Sequence, residues 1–243
     1  VALASCSTIV VAREALSLPP GFVALSFDDG PNPDQDTKLM LLAALERQGI
    51  KAFFCIVGER VKEAPDLVRA IAEGGHAIVN HGYAHSFPLF ASRDELLSDA
   101  AACDAEIGRA LGIEGYRASW YRPPKGIVTS ATRAMMEERG YRLLPISLFS
   151  VFHVDSEFLP SGGAEAFGFA LREAIKQGGG MLVFHDGNNR GFPPDPAGYA
   201  GQESLMNRGW VPGAVEGFIQ ACRKAGLRFF DADRFDLSGA YFE

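Results

Sequence analysis

The chain has 243 residues, 47% hydrophobic and 22% charged, proportions that suit one globular α/β domain and argue against a disordered or fibrous chain. Its formal net charge of -7 argues against a phosphate-tracking surface, so no nucleic-acid partner is expected. No apolar run approaches the roughly 20 residues that a membrane-spanning helix needs, so no transmembrane segment is expected either.

The four cysteines, Cys6, Cys55, Cys103 and Cys222, lie far apart without CxxC spacing, which argues against a cysteine-only metal site. Leu3-Ala4-Ser5-Cys6 resembles a bacterial lipobox, in which the cysteine is lipidated after signal cleavage. Residues 1–20 are therefore expected to be an N-terminal segment carrying a signal-peptide and lipobox remnant with a lipid anchor at Cys6. The implied location is the cell envelope or periplasm, or outside the cell.

From Gly21 onward, short apolar runs alternate with longer amphipathic stretches, the pattern of βα units around a parallel sheet, and residues 21–243 are expected to form one domain. Val23-Ala24-Leu25-Ser26-Phe27 is the first strand, and residues 36–48 carry apolar residues at helical spacing up to Gly49. Residues 52–57 form the second strand. A helix over 65–73 opens on Pro65 and stops at Gly74-Gly75, before a third strand, His76-Ala77-Ile78-Val79. Residues 93–111 are helical. Trp120-Tyr121-Arg122 is a short fourth strand cut off by Pro123-Pro124, because proline cannot donate to a ladder. A helix over 129–139 leads to a fifth apolar stretch, 141–152. Another helix, 164–177, ends in three glycines before Met181-Leu182-Val183-Phe184. Residues 187–212, rich in Gly, Pro and Asn, read as a long functional loop that shapes a cleft. A helix over 214–225 and a strand over 227–230 follow. Seven strands alternating with helices suit a closed barrel or a doubly wound sheet, and no Rossmann fingerprint follows the first strand.

Chemistry gathers at strand ends. Asp28-Asp29, Asn80-His81, Arg122 and His185 each follow the last apolar residue of an expected strand, and in a parallel barrel those ends share one face. His81 and His85, four apart, can point one way on a helical turn, and Asp29 completes a set of two imidazoles and a carboxylate that leaves a position for water, as in catalytic zinc sites. Asp29 then holds the ion while Asp28 serves as general base, Arg122 keeps Asp28 ionised, and His185 protonates the leaving group. Each signal alone has a plainer reading: Asp-Asp-Gly is ordinary turn chemistry, and a spaced histidine pair is often a polar helix face. Their joint occurrence at strand ends favours catalysis. His76 fits a core or turn histidine, and His153 is open.

With these residues in place, the chain resembles the polysaccharide deacetylases of the NodB-homology type, carbohydrate esterase family 4, over about residues 22–230. Ser26-Phe27-Asp28-Asp29-Gly30-Pro31 resembles the first motif, whose aspartates are base and metal ligand, and Lys51-Ala52-Phe53-Phe54 looks like the second strand. Gly75-His76 leading to His81-Gly82-Tyr83-Ala84-His85 resembles the second motif, with Gly82 where a Ser or Thr hydroxyl usually supports the loop. Arg122-Pro123-Pro124-Lys125-Gly126 resembles the third, with Lys125 where an aromatic is common. Leu182-Val183-Phe184-His185 resembles the fifth, in which the leucine lines the acetyl-methyl pocket. Pro123 and Leu182 are thus the expected substrate-binding residues. The fourth motif departs: Ser147-Leu148-Phe149-Ser150-Val151-Phe152-His153 lacks the aspartate that tunes the catalytic histidine, leaving Asp155 or Asp186 as substitutes.

The resemblance implies a distorted (β/α) barrel, TIM-barrel-like, with seven or eight mostly parallel strands, and zinc as the usual ion, with cobalt or another divalent ion accepted. The expected function is metal-dependent removal of acetyl groups from an N-acetylated glycan, peptidoglycan or chitin-like, by a monomer. Two alternatives stand beside it: an O-acetyl esterase using the same site, and a glycan-binding relic that keeps its metal without turnover.

Overall fold

The computed structural model describes residues 10–11, 18, 20–31, 35–144, 162–186 and 211–232. In chain order the elements are β1 (Val10–Val11), β2 (Phe22–Gly30), α1 (Gln35–Gln48), β3 (Phe53–Ile56), α2 (Gly58–Val61), α3 (Pro65–Glu73), β4 (Ala77–Asn80), α4 (Arg93–Leu111), β5 (Trp120–Tyr121), β6 (Ile127–Val128), α5 (Ser130–Arg139), β7 (Arg142–Leu143), α6 (Gly162–Gln177), β8 (Gly179–His185), α7 (Val211–Lys224) and β9 (Arg228–Phe229). Local chemistry sets several boundaries. Ser92 and Glu95 form a capping box at the start of α4, and Gly112 closes it in the left-handed conformation. Thr129 caps α5, and Gly140 ends it the same way.

Seven described strands make one parallel sheet in the order β7-β5-β4-β3-β2-β8, with β9 against the start of β2 on the β3 side. The order runs one way through β2, β3, β4, β5 and β7 and then sets β8 against β2, as in a ring of βα units rather than a sheet wound outward from its centre. The fold is a distorted (β/α) barrel. Its described strands leave β7 and β8 unpaired with one another, and the expected fifth apolar stretch continues past β7 into residues 145–152, outside the described residues, as are Cys6, His153 and Asp155.

Period-two alternation divides the core. Val23, Leu25 and Phe27 of β2, Phe54 and Ile56 of β3, and Leu182 and Phe184 of β8 pack toward the helices, against residues such as Leu41, Val68, Ile107 and Phe218. Phe27 stacks between Phe54 and Phe184, at centroid distances of 5.1 and 5.6 Å. Phe22, Ala24, Phe53, Cys55, Val79, Trp120, Leu144 and Met181 fill the opposite face, the barrel interior. The site stands at the C-terminal end of that face.

The structure adjusts the expected elements at a few points. The last helix begins at Val211, so Pro212 lies in its first turn, where a missing N–H costs nothing, and not in the preceding loop. Residues 187–210 of that loop are outside the described residues. The short helix α2 and the antiparallel β1–β6 pair carry no periodicity long enough to read in advance. His76 takes the plain role expected of it: buried, it accepts from the Ala52 amide at 3.2 Å through Nδ1 and packs edge-on to Phe54. Cys55, Cys103 and Cys222 are buried free thiols.

Candidate active site

A register shift at the end of β2 brings both aspartates to the site. Phe27 pairs with Phe54 and Gly30 with Ile56, so two residues, Asp28 and Asp29, stand opposite one, Cys55. Asp28 continues the inward alternation from Ser26 and pairs in register with His185 across β8. Asp29, which regular alternation would turn toward the helices, instead takes φ +68°, and its carboxylate reaches the histidines. The Arg60 guanidinium donates to its backbone carbonyl.

His81 and His85 sit on the loop after β4. That loop is pinned on both sides: Gly58 N donates to Gly82 O and Glu59 N to Tyr83 O, while Asp99 of α4 accepts from Tyr83 N at 2.7 Å and Ala84 N at 3.0 Å. At Gly82, φ is +76° and a Cβ would lie 2.7 Å from the Asp99 carboxylate. The glycine therefore leaves room for Asp99, which supports the loop where a hydroxyl was expected to do so. Asn80 faces α4, donating at 2.8 Å to both Ala100 O and Asp104 and accepting from Gly82 N. Asp104 also accepts from Tyr141 and Arg139, so a buried network fixes the root of the loop.

Ligand atoms of Asp29, His81 and His85 lie within 4.8 Å of one another. Asp29 Oδ1 is 3.5 Å from His81 Nε2 and 3.1 Å from His85 Nε2, yet it is buried without a well-aligned hydrogen bond. Three donors that converge without satisfying one another fit a divalent cation. His81 Nδ1 lies 2.6 Å from the Arg122 carbonyl, which can only accept, so Nδ1 carries the proton and the Nε2 lone pair faces Asp29. Burial, above all, pushes His85 down to about 3, so its ring is neutral, as a ligand must be.

Arg122, fully buried, donates to both oxygens of Asp28 at 3.2 and 2.9 Å, to Leu144 O at 2.9 Å and to Ser26 Oγ at 3.2 Å. Burial alone would raise the Asp28 carboxyl; Arg122, with His81 and His185, outweighs it and holds the group below the ordinary carboxylate range. Asp29 is held well below that range by the two site histidines and His185, again against burial. Cys55, opposite the bulge, donates a hydrogen bond to Asp28, and burial beside that carboxylate pushes its thiol well up. The sequence offered no sign that Cys55 belongs to the site; its contact with Asp28 depends on the bulge, which leaves no mark in composition or periodicity.

The structure thus gathers Asp28, Asp29, His81, His85, Arg122 and His185 at one end of the barrel, with Pro123 buried in the turn after Arg122. It does not bring Leu182 there. Leu182 pairs with Leu25 and lies in the helix-side core, whereas Val183 pairs with Ser26 and shares the face of His185, two residues on. The alternation was readable: a residue one before Phe184 and two before His185 points with the histidine.

A peptidoglycan-N-acetylglucosamine deacetylase of Bacillus cereus is 30% identical over 129 residues, covering 53% of this chain and 45% of its own length. The chain thus spans less than half the length of that relative. A family 4 carbohydrate esterase from Streptomyces lividans, solved in complex with acetate, superposes with a TM-score of 0.63 at 21% identity, over 85% of this chain and 90% of its own. A family 4 pseudoenzyme from Bacillus anthracis gives 0.64 at 15% identity, over 86% and 63%. Both likenesses concern the fold. The family model described as Polysaccharide deacetylase matches residues 16–144, more than half of the chain and all of the site up to Arg122, and the chain belongs to that family.

Proposed function

We propose that this chain is a metal-dependent deacetylase that hydrolyses N-acetyl groups of a glycan, with residues 21–243 as its catalytic domain. One observation carries the reading: a buried carboxylate held ionised by Arg122 stands beside a convergent Asp29, His81 and His85 set. Those three would hold the ion, and two imidazoles with one carboxylate favour zinc, with cobalt or another divalent ion accepted. When bound, such an ion supplies Lewis-acid polarisation of the acyl oxygen and makes water more acidic.

The remaining chemistry belongs to the side chains. Asp28, ionised and aimed by Arg122, takes the proton as water adds to the acetamido carbon. His185, in register with Asp28, donates a proton to the nitrogen as the C–N bond breaks, releasing acetate and an amine. Pro123 and Val183 flank this face and supply the apolar wall for the acetyl methyl, the place first expected of Leu182.

Peptidoglycan or a related N-acetylated envelope glycan is the favoured substrate, in line with the named activity of the Bacillus cereus relative, and it puts the enzyme at the envelope or outside the cell. No described helix is long and apolar enough to cross a membrane. A second reading, a metal-holding relic, draws on the departure at residues 147–153 and on the pseudoenzyme among the fold's neighbours. The presence of both Asp28 and His185 speaks against it, since binding alone needs neither acid nor base.

The test is metal analysis combined with acetate release from N-acetylglucosamine oligomers and peptidoglycan, for wild type and Asp28→Asn. Zinc in both proteins with acetate from the wild type alone is the expected result. Equal turnover by Asp28→Asn removes Asp28 as base. Zinc with hydrolysis of O-acetylated xylan only makes the protein an esterase, and zinc with no hydrolysis at all makes it a relic.

A further inference from the structure

Lys125 holds an unusual place. It is exposed at the rim of the site, and it adopts φ +60° inside the turn Pro124–Gly126, closed by the Gly126 N to Pro123 O bond. Only three non-glycine residues take positive φ among the described residues, Asp29, His85 and Lys125, and all three meet here. Glycine would take this conformation without strain, whereas Lys125 takes it at a backbone cost. That side chain ends 3.2 Å from His85 Nδ1.

The contact has a consequence for proton placement. An ammonium has only donors, so His85 Nδ1 must accept, and the ring's single proton then sits on Nε2, the atom 3.1 Å from Asp29 Oδ1 but not aligned to donate to it. His81 is arranged the opposite way: the Arg122 carbonyl fixes its proton on Nδ1 and leaves Nε2 ready to ligate. Histidine ligands ordinarily give their second N–H to a carboxylate, a carbonyl or water, and His85 instead meets a cation.

We propose that Lys125 opposes metal binding at this site, by holding His85 in the tautomer whose proton occupies the ligand position. The inference rests on the reading of Asp29, His81 and His85 as the metal set. An ion can use His85 Nε2 only after that proton has moved to Nδ1 and Lys125 has released the ring. The site is thereby set for a weakly held, exchangeable ion, with Asp29 and His81 as the preformed pair and His85 as the ligand that must be freed.

The experiment is Zn2+ affinity by competition with a chromophoric chelator, on wild type, Lys125→Met, Lys125→Gly and Lys125→Arg, without substrate. Lys125→Met removes the donor, and Lys125→Gly removes it while suiting the backbone at φ +60°, so misfolding cannot account for a shared result. Both are expected to bind zinc about 10-fold more tightly or better, the range set by outer-shell partners, while Lys125→Arg stays near wild type. Nitrogen-15 NMR of the metal-free wild type is expected to find the proton on Nε2 of His85 and on Nδ1 of His81. Unchanged or weaker affinity in the Met and Gly variants overturns the proposal, as does a proton on His85 Nδ1. Tighter zinc without acetate release upholds it while sinking the deacetylase reading, and absence of zinc binding in every protein sinks both.

Discussion

Replacing Arg122 with methionine keeps much of the volume and removes the charge, and the structure sets the size of the loss. Among its described contacts the guanidinium donates four times inside the barrel, twice to Asp28, and these partners are buried. Breaking a buried ion pair from one side costs about 3–5 kcal/mol, a large share of the ~5–15 kcal/mol that holds a domain together. The pH dependence is more diagnostic than the size. In the wild type, Asp28 titrates below its unfolded value, so it contributes stability at pH above that value and loses it as pH falls through the folded one. Without Arg122, burial is opposed only by the smaller effects of His81, His185 and the Cys55 thiol, so the carboxyl rises, ionised Asp28 contributes less stability at neutral pH, and protonation shrinks the difference. The deficit relative to wild type should be largest near pH 7 and shrink toward pH 4. Urea denaturation of both metal-free proteins across that range measures it. A deficit below about 1 kcal/mol, or one equal at every pH, refutes the argument that Arg122 is what keeps Asp28 charged.

Three further outcomes follow from other contacts. Gly82→Ala puts a Cβ 2.7 Å from the Asp99 carboxylate at φ +76°, at a backbone cost of about 1–2 kcal/mol, so thermal denaturation should fall by roughly 2–8 °C; a melting point within 1 °C of wild type contradicts the packing argument. His81→Ala removes the one histidine whose free nitrogen is already aimed at Asp29, and dialysed protein should retain no stoichiometric zinc by elemental analysis; full occupancy removes His81 from the ligand set. Cys55 and Cys103, buried with thiols pushed well up, and Cys222, pushed up to about 12, should resist iodoacetamide at pH 8 until urea is added. Alkylation of native Cys55, read by mass spectrometry, means that water reaches the floor beneath Asp28.

Much of this architecture was legible where one physical signal dominates. The bounds of α3 coincide with those read from Pro65 and Gly74, and α4 spans the expected 93–111, because caps act within a single turn. The candidate ligands were legible because parallel strand ends share a face, whatever the sheet's closure. Features that need two chain segments in register were not. Leu182 was set in the pocket by its place in a motif, and the ladder with β2 turns it toward the helices. Asp99, sixteen residues beyond Tyr83, looked like one more acid on a helix, and only the fold brings it under the loop amides.

The bulge at the end of β2 is the clearest case of what one chain segment cannot reveal. In an unbroken strand, Asp28 and Asp29 would point to opposite faces, one toward the barrel interior and the other into the helix-side core beside Phe27. An ionised carboxylate in that core would be unpaired and costly. The extra residue opposite Cys55, with Asp29 at positive φ and its carbonyl held by Arg60, lets both carboxylates face one site. Adjacent aspartates can then do different work: the first keeps the strand's direction and meets Arg122, and the second leaves it and meets the histidines. Separation of the proposed base from the proposed ligand thus lies in the backbone, since the two side chains are chemically identical.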